Sequence, residues 1–243
     1  MHLPGVPSLA YLFYLLAFMP WMAVRSMRKL APVLSPRASA HGPSAGEPTL
    51  PSTPSREQLF ASTLVSLALL LYLTWITGGT FGFRIFAAPA LGTREILAGA
   101  TTFAVAIGLM LLNRAVRTAD ERRTMAVYKL MPRAPREWAL YVTTALAAGV
   151  AEEAAYRGVL MAILACSFGS AWVAVAISAG AFAASHALQG WKSGITIFMM
   201  ALAMHALVWF TGTVVVAMVV HAVYDLAAGV LGAWRVRTNQ VDG

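Results

Sequence analysis

Four residues that are charged at neutral pH stand inside apolar stretches of the sequence, where a charge is costly. They are Glu152, Glu153, Arg157 and Asp225. A charged side chain at the centre of a membrane helix costs about 2.5–3.5 kcal/mol on insertion scales, so four unpaired charges would cost on the order of 10 kcal/mol. A residue that only filled a helix could be leucine or alanine without this cost. We therefore predict that these residues carry the function of the protein.

The spacing of the first three residues predicts two different roles for the adjacent acids. Glu153 and Arg157 are four residues apart, which allows an ion pair within one helix. Glu152 projects about 100° away from Glu153 around the helix axis and is free to face another helix. Small residues surround this segment and allow other helices to approach closely.

Two later apolar segments carry histidines at helical spacing from a partner. Phe182 and His186 are four residues apart, and so are His221 and Asp225. The helices that contain them can present two imidazoles and a carboxylate toward Glu152. His205 lies between these two segments and has no such partner, so we interpret it as a packing residue.

This set of groups fits general acid–base hydrolysis. A carboxylate and an imidazole can hold and deprotonate a water molecule, and a second imidazole can stabilise an oxyanion or protonate a leaving amine. The same donors could instead bind a divalent metal such as zinc, with the ligands Glu152, His186, His221 and Asp225. The residues alone leave both mechanisms open. We expect that no cofactor is required, with zinc as the alternative.

The composition indicates that lipid is the solvent for much of the chain. Of the 243 residues, 59% are hydrophobic and only 12% are charged, and the mean hydropathy is +0.69. Soluble domains carry about 25% charged residues. The net charge of +8 comes from residues in short segments between apolar runs. That distribution is typical of membrane topology and argues against a nucleic-acid partner.

The apolar runs predict an all-α, polytopic membrane bundle of about seven transmembrane helices with a C-terminal four-helix catalytic core. The runs are residues 8–24, 59–77, 96–113, 138–165, 171–188, 195–210 and 213–234, with a tight turn at 211–212 between the last two. The predicted organisation is an N-terminal transmembrane helix (1–30), a flexible cytoplasmic linker (31–58), two transmembrane helices with a basic cytoplasmic loop (59–137), the catalytic core (138–234) and a cytoplasmic tail (235–243).

Basic residues predict the orientation. With the N-terminus outside, fifteen lysines and arginines fall on the cytoplasmic side, and only Arg84 and Arg94 fall outside. This positive-inside bias places the C-terminus in the cytoplasm. We expect a plasma membrane, in particular a bacterial inner membrane.

At these residues the chain resembles the CPBP family of intramembrane proteases, the CAAX-protease and bacteriocin-processing group also called Abi. Three family motifs occur in order: Glu152-Glu153-Ala154-Ala155-Tyr156-Arg157, Phe182-Ala183-Ala184-Ser185-His186 and His221-Ala222-Val223-Tyr224-Asp225. Each motif is weak alone, but three in order on successive hydrophobic helices are specific. The resemblance extends over residues 138–234.

The resemblance implies that Glu152 is the base that activates water and that His186 shares this water. It implies a structural and electrostatic pair in Glu153 and Arg157. Phe182 is expected to shape the floor of the site.

By the same resemblance, His221 and Asp225 serve the oxyanion or complete a metal site. Prenyl-protein endopeptidases of the family usually have asparagine where this chain has Asp225. An ionised aspartate cannot donate a hydrogen bond to an oxyanion. Asp225 therefore weakens the expectation of a prenylated substrate and favours a bacterial branch of the family.

The resulting hypothesis is an intramembrane endopeptidase that acts on a membrane-anchored protein or peptide: a C-terminal anchor or sorting segment, a leader peptide or a lipidated tail. The lipid bilayer is the other expected partner, and the sequence predicts no particular oligomeric state. A non-catalytic immunity or scaffold protein is one alternative. A proton-coupled transporter is another, although no inverted repeat is visible.

Overall fold

The computed structural model describes residues 6–34, 54–86, 91–123 and 125–238. Throughout these residues the chain is helical or forms turns, and they contain no strand, which confirms the predicted all-α class. The predicted linker lies mostly at 35–53 and the end of the predicted tail at 239–243, and both lie outside the described residues.

The described residues form the following α-helices: α1 (Val6–Phe13), α2 (Met19–Leu34), α3 (Arg56–Thr80), α4 (Thr93–Ala115), α5 (Ala119–Arg123), α6 (Ala126–Lys129), α7 (Pro135–Glu152), α8 (Met161–Phe168), α9 (Ala171–Ser185), α10 (Trp191–Thr211) and α11 (Val214–Arg237). A π-helical segment, Tyr14–Phe18, joins α1 to α2, and a second one, Glu153–Leu160, joins α7 to α8. Between α9 and α10 a short 3-10 turn covers Ala187–Gln189.

Five helices of the described chain are long and apolar enough, by length and composition, to cross a membrane: Ser8–Met27, Arg56–Thr80, Thr93–Ala115, Trp191–Thr211 and Val214–Arg237. Twenty helical residues span about 30 Å, the thickness of a bilayer core. The protein is therefore an integral membrane protein. Helix α9 is apolar but has only 15 residues, and the π segment interrupts the predicted 138–165 helix. The count of seven transmembrane helices stays a prediction.

Several helix ends differ from the predicted ones because local hydrogen bonds move them. Helix α3 begins at Arg56 because Ser55 and Gln58 form a capping box. Helix α9 ends at Ser185, three residues before the predicted end, where the His186 side chain binds the last turn. The short helices α5 and α6 were not predicted, because four or five residues are too few to show a period.

The turn between α10 and α11 is confirmed. Gly212 ends α10 with a φ of +70°, a left-handed conformation that glycine adopts without a steric penalty. Thr213 then caps α11 by accepting a hydrogen bond from the backbone N–H of Val215 at 3.2 Å. The tight connection holds the third motif helix against α10.

Helix α7 packs directly against the backbone of α11 at Gly149. A Cβ atom added at this glycine would lie 2.8 Å from the carbonyl oxygen of Met218 and 2.9 Å from the backbone nitrogen of Ala222. Membrane helices use small residues for such close contacts, since lipid gives no hydrophobic force between them. The contact lies one helical turn from Glu152 on α7 and beside His221 on α11, so it sets the distance between the two motifs.

We predict that Gly149→Ala destabilises the protein even though alanine favours helix formation by about 1 kcal/mol. The new methyl group must push backbone atoms apart, and overpacking typically costs about 1–3 kcal/mol. Thermal unfolding of the detergent-solubilised protein measures the change. Gly108→Ala on α4 is the matched control, because an added Cβ there meets nothing within 4 Å. Equal melting temperatures for the two variants would contradict the prediction.

Candidate active site

Glu153 is the centre of a buried ionic cluster. Its side chain is 0% exposed, and its Oε1 lies 3.1 Å from Nη1 of Arg157, so the predicted ion pair is present. The same oxygen accepts a hydrogen bond of 2.7 Å from Nδ1 of His221 on α11. Glu153 therefore links the first and third motifs, a contact that the sequence did not predict.

The other nitrogen of His221 faces two more carboxylates. Its Nε2 lies 3.8 Å from Oε2 of Glu152 and 3.6 Å from Oδ2 of Asp225. The side chains of Glu152 and Asp225 are 17% and 30% exposed, whereas Glu153 is fully buried. Of the three acids, only Glu152 and Asp225 can reach a water molecule or a substrate.

His186 lies at the C-terminal end of α9. Its Nδ1 is 2.9 Å from the carbonyl oxygen of Phe182 and 3.1 Å from the hydroxyl of Ser185. Because a carbonyl oxygen only accepts, Nδ1 must donate, and in the neutral ring Nε2 is then an acceptor. The second motif meets the other two through Phe182, whose ring contacts Arg157 of the first motif and His221 of the third.

The Phe182 ring is an apolar surface that these groups share, and its predicted role in shaping the floor of the site stays a prediction. The Arg157 guanidinium lies over its ring at 4.2 Å from the centroid. The rings of His186 and His221 lie 4.7 and 6.2 Å from it. A cation over an aromatic face is attracted by the ring quadrupole, so Phe182 also stabilises the arginine away from water.

The π segment presents the first motif to the other helices. A π turn shifts the backbone hydrogen bonds by one residue, and such segments often occur at functional sites. Two carbonyl oxygens in it accept side-chain hydrogen bonds from other helices: that of Tyr156 from Ser178 of α9 at 2.8 Å, and that of Ala155 from Tyr11 of α1 at 3.4 Å. Sequence reasoning missed both donors. The only sequence feature that could have identified Tyr11 and Ser178 was a hydroxyl group within an apolar helix.

Two further residues near the cluster were not predicted to belong to it. Tyr141 of α7 donates a hydrogen bond of 2.7 Å to the backbone carbonyl of Asp225, which anchors the third motif. His205 is 6% exposed and lies within electrostatic range of Arg157 and Glu153. Its Nε2 has no hydrogen-bond partner among the described residues. His205 is therefore packed as predicted, but beside the ionic cluster.

Zinc, bound by Glu152, His186, His221 and Asp225, is the alternative that the sequence left open. Within the described residues, no group of three or more His, Cys, Asp or Glu side chains is arranged to hold a metal ion. Glu152 and Asp225 face the same nitrogen of His221, and Nδ1 of His186 is engaged by Phe182. The choice between zinc and a mechanism that uses protein groups alone stays a prediction.

Fold and site together define a class of protein. It is an integral membrane protein in which a carboxylate, two imidazoles and a second carboxylate meet beside a fully buried ion pair. Such a set can accept and return a proton, which is the requirement for hydrolysis by an activated water.

Residues 134–227 match the family model of the Rce1-like proteins, described as type II CAAX prenyl endopeptidases. The match covers less than half of the 243-residue chain but includes all three motifs. It confirms the predicted resemblance to the CPBP family of CAAX-type proteases, and protease activity is what this family implies. No curated protein and no solved structure matches the chain.

Loss of charge at the two adjacent acids, Glu152 and Glu153, should change the stability of the protein by different amounts. We predict that Glu153→Gln destabilises the protein by about 3–5 kcal/mol, because it leaves the buried Arg157 without its counter-charge. Glu152→Gln, at a partly exposed position with no direct hydrogen bond among the described residues, should change stability by less than about 0.5 kcal/mol.

Chemical or thermal unfolding of the two variants in one detergent provides the comparison. Each variant is the control for the other, since both replace a glutamate by glutamine within the same turn. A Glu153→Gln protein as stable as Glu152→Gln would mean that the buried pair does not hold the helices together.

Proposed function

We propose that the protein is an intramembrane endopeptidase that hydrolyses a peptide bond in a membrane-anchored substrate with a water molecule activated by Glu152 and His186. The family match supports a CAAX-type membrane protease. The catalytic residues and the substrate are the proposal.

The observation that carries the proposal is the arrangement of carboxylates around Nε2 of His221. Gaps of 3.8 Å to Glu152 and 3.6 Å to Asp225 are longer than a direct hydrogen bond of about 2.7–3.2 Å. Polar groups at this separation are commonly bridged by water. The side-chain exposure of Glu152 and Asp225 leaves the same region open to a substrate.

In the proposed reaction, Glu152 removes a proton from the bound water while Nε2 of His186 accepts the second hydrogen bond of that water. The resulting hydroxide attacks the carbonyl carbon of the scissile bond. The imidazolium of His221 stabilises the oxyanion that forms. The carbon–nitrogen bond then breaks, the proton on Glu152 passes to the leaving amine, and the products are a carboxylic acid and an amine.

Glu153, Arg157 and Phe182 act in this proposal without contacting the substrate. Glu153 accepts the Nδ1 hydrogen of His221 and so fixes the orientation of the ring, as a second carboxylate does for histidines in many catalytic sites. Arg157 keeps Glu153 ionised in a region without water. Phe182 supports both imidazoles from one side.

The proposed substrate is a protein or peptide held in the bilayer by an anchor, sorting segment, leader or lipid. A site inside the membrane meets little bulk water and selects chains that already lie in the bilayer. Asp225 stands where prenyl endopeptidases of the family usually have asparagine, so non-prenylated membrane peptides belong in the substrate panel beside farnesylated ones.

We predict that Glu152→Gln lowers the rate of peptide cleavage by about 10²–10⁴-fold, the usual contribution of a general base. His186→Ala should reduce the rate by a comparable factor, because it removes the second acceptor for the water. Purified protein in nanodiscs, mixed with quenched fluorescent peptides that carry a farnesyl chain or an apolar helix, gives the rates.

Glu57→Gln is the matched control, since Glu57 is a half-buried glutamate 3.7 Å from Arg136 and far from the three motifs in the chain. It should cleave like the unmodified protein. Cleavage by Glu152→Gln at the control rate would refute the assignment of the base. Absence of any cleavage, together with proton or ion flux through liposomes, would favour a transporter.

We also propose that the basic loops and the C-terminus face the cytoplasm of a bacterial cell. A fluorescent protein fused after residue 243 should fold and fluoresce, and an alkaline phosphatase fused there should stay inactive. The opposite pair of signals would reverse the topology, and with it the side from which the substrate enters.

A further inference from the structure

A polar cavity of about 100 Å³ lies between α4, α6, α10 and α11, outside the candidate active site. Two arginines, Arg114 of α4 and Arg235 of α11, line it, and none of its lining residues is acidic. Among the described residues neither arginine has a carboxylate partner. By contrast, Lys192 near the start of α10 pairs with Glu121 at 2.8 Å. The cavity therefore has an unbalanced positive charge.

Two hydroxyl groups add hydrogen-bond donors to the cavity. Nη1 of Arg114 donates to the Tyr128 hydroxyl at 2.9 Å, which leaves the hydrogen of that hydroxyl without an acceptor among the described residues. Nη2 of Arg117 donates to the Ser193 hydroxyl, also at 2.9 Å, with the same result. A guanidinium fork binds phosphate with two parallel hydrogen bonds. Forks and hydroxyl hydrogens together suit an anion that has several acceptor oxygens.

The ends of the surrounding helices indicate the depth of the cavity in the membrane. Arg114 is in the last turn of α4 and Arg235 in the last turn of α11, and both helices are long and apolar enough to span a bilayer. Exposed tryptophans stand at the same level, since Trp234 precedes Arg235 and Trp191 begins α10. Tryptophan is enriched at the membrane–water interface. The anions at this depth are lipid headgroups, which basic pockets between membrane helices bind.

Membrane topology and the family match leave the two arginines unexplained. Topology requires only basic side chains that reach water or headgroups, as Arg237 does at an exposed position. Arg114 and Arg235 are half-buried and line an interior space instead. Both also lie outside residues 134–227, which match the Rce1-like family model. A bound anion gives the pair a role that neither topology nor the three motifs supply.

We propose that the cavity binds the phosphate group of an anionic phospholipid. A water molecule occupies roughly 30 Å³, so the cavity holds a phosphate group with a water and leaves the glycerol and the acyl chains outside. Flexible apolar side chains that adapt to the adjoining carbon groups also line it, namely Met110, Met125, Met131 and Met200. The bound lipid joins the end of α4 to the end of α11, the helix that carries His221 and Asp225. This binding site is independent of the proposed endopeptidase function.

Thermal unfolding of the full-length protein in two kinds of nanodisc tests the proposal. One kind contains phosphatidylcholine alone, and the other contains phosphatidylcholine mixed with phosphatidylglycerol. A ligand that binds only the folded state stabilises it, so phosphatidylglycerol should raise the melting temperature by about 4 °C or more. Arg114→Gln and Arg235→Gln should each lose most of this rise, measured for each variant against its own melting temperature in phosphatidylcholine.

Two further variants of α11 make the test specific. Arg235→Lys keeps the charge without the fork and should retain part of the rise. Arg237→Gln, on the same helix but exposed, should retain all of it. Native mass spectrometry of protein released from the mixed nanodiscs gives a second readout. Arg235→Gln should carry one phosphatidylglycerol molecule fewer than Arg237→Gln.

Equal melting temperatures of the unmodified protein in the two nanodiscs, or a rise that both glutamine variants keep, would overturn the proposal. An equal loss in Arg237→Gln would also overturn it, because the lipid would then respond to general surface charge. If inorganic phosphate in phosphatidylcholine nanodiscs produces the same rise, the ligand is a free phosphate ion and not a lipid. If the arginine variants change only the binding of a membrane-anchored peptide, the cavity belongs to the substrate and the lipid proposal is wrong.

Discussion

The structure depends on one buried carboxylate that serves two partners. Glu153 is 0% exposed, and its Oε1 contacts both the Arg157 guanidinium at 3.1 Å and the His221 imidazole at 2.7 Å. In a bilayer no water can replace either contact, so removing one partner leaves the other charge without compensation. This constraint fixes α11 against the π segment, and it does so at the residues where the chemistry is proposed. The interaction that stabilises the fold is therefore also the one that positions the site.

The remaining elements follow from the need to bring three helices to this carboxylate. Gly149 lets the backbones of α7 and α11 come together, and the π segment turns both Glu152 and Glu153 toward other helices. The hydroxyl groups of Tyr11 and Ser178 donate hydrogen bonds to carbonyl oxygens of the π segment. The backbone N–H groups that these oxygens would bind in an α-helix are shifted by one residue. An irregular helix inside a membrane is tolerated only when other groups satisfy its backbone in this way.

The sequence was most informative where a charge contradicted its surroundings. Glu152, Glu153, Arg157 and Asp225 could be identified because lipid makes unpaired charges costly, and helical spacing predicted the Glu153–Arg157 pair. It could not predict that Glu153, rather than Glu152, would hold His221, because that depends on the rotation introduced by the π segment. The early end of α9 was missed for a similar reason. The His186 ring forms a hydrogen bond to the carbonyl oxygen of Phe182 in the last turn of α9. The hydrophobic period of a sequence does not show that a side chain will end the helix in this way.

The arrangement of charge around His221 also gives the proposed site its direction of proton flow. One ring nitrogen faces a carboxylate that is buried and already neutralised by Arg157, and the other faces two carboxylates that are partly exposed. A proton delivered to the exposed side can be shared by Glu152, Asp225 and Nε2, whereas the buried side offers it no route to water. Proton exchange with a substrate is thereby confined to the face of the imidazole that Glu152 and Asp225 line. A base that must take a proton from water and return it to an amine needs this confinement, because a proton lost to the buried side would leave the leaving amine without one.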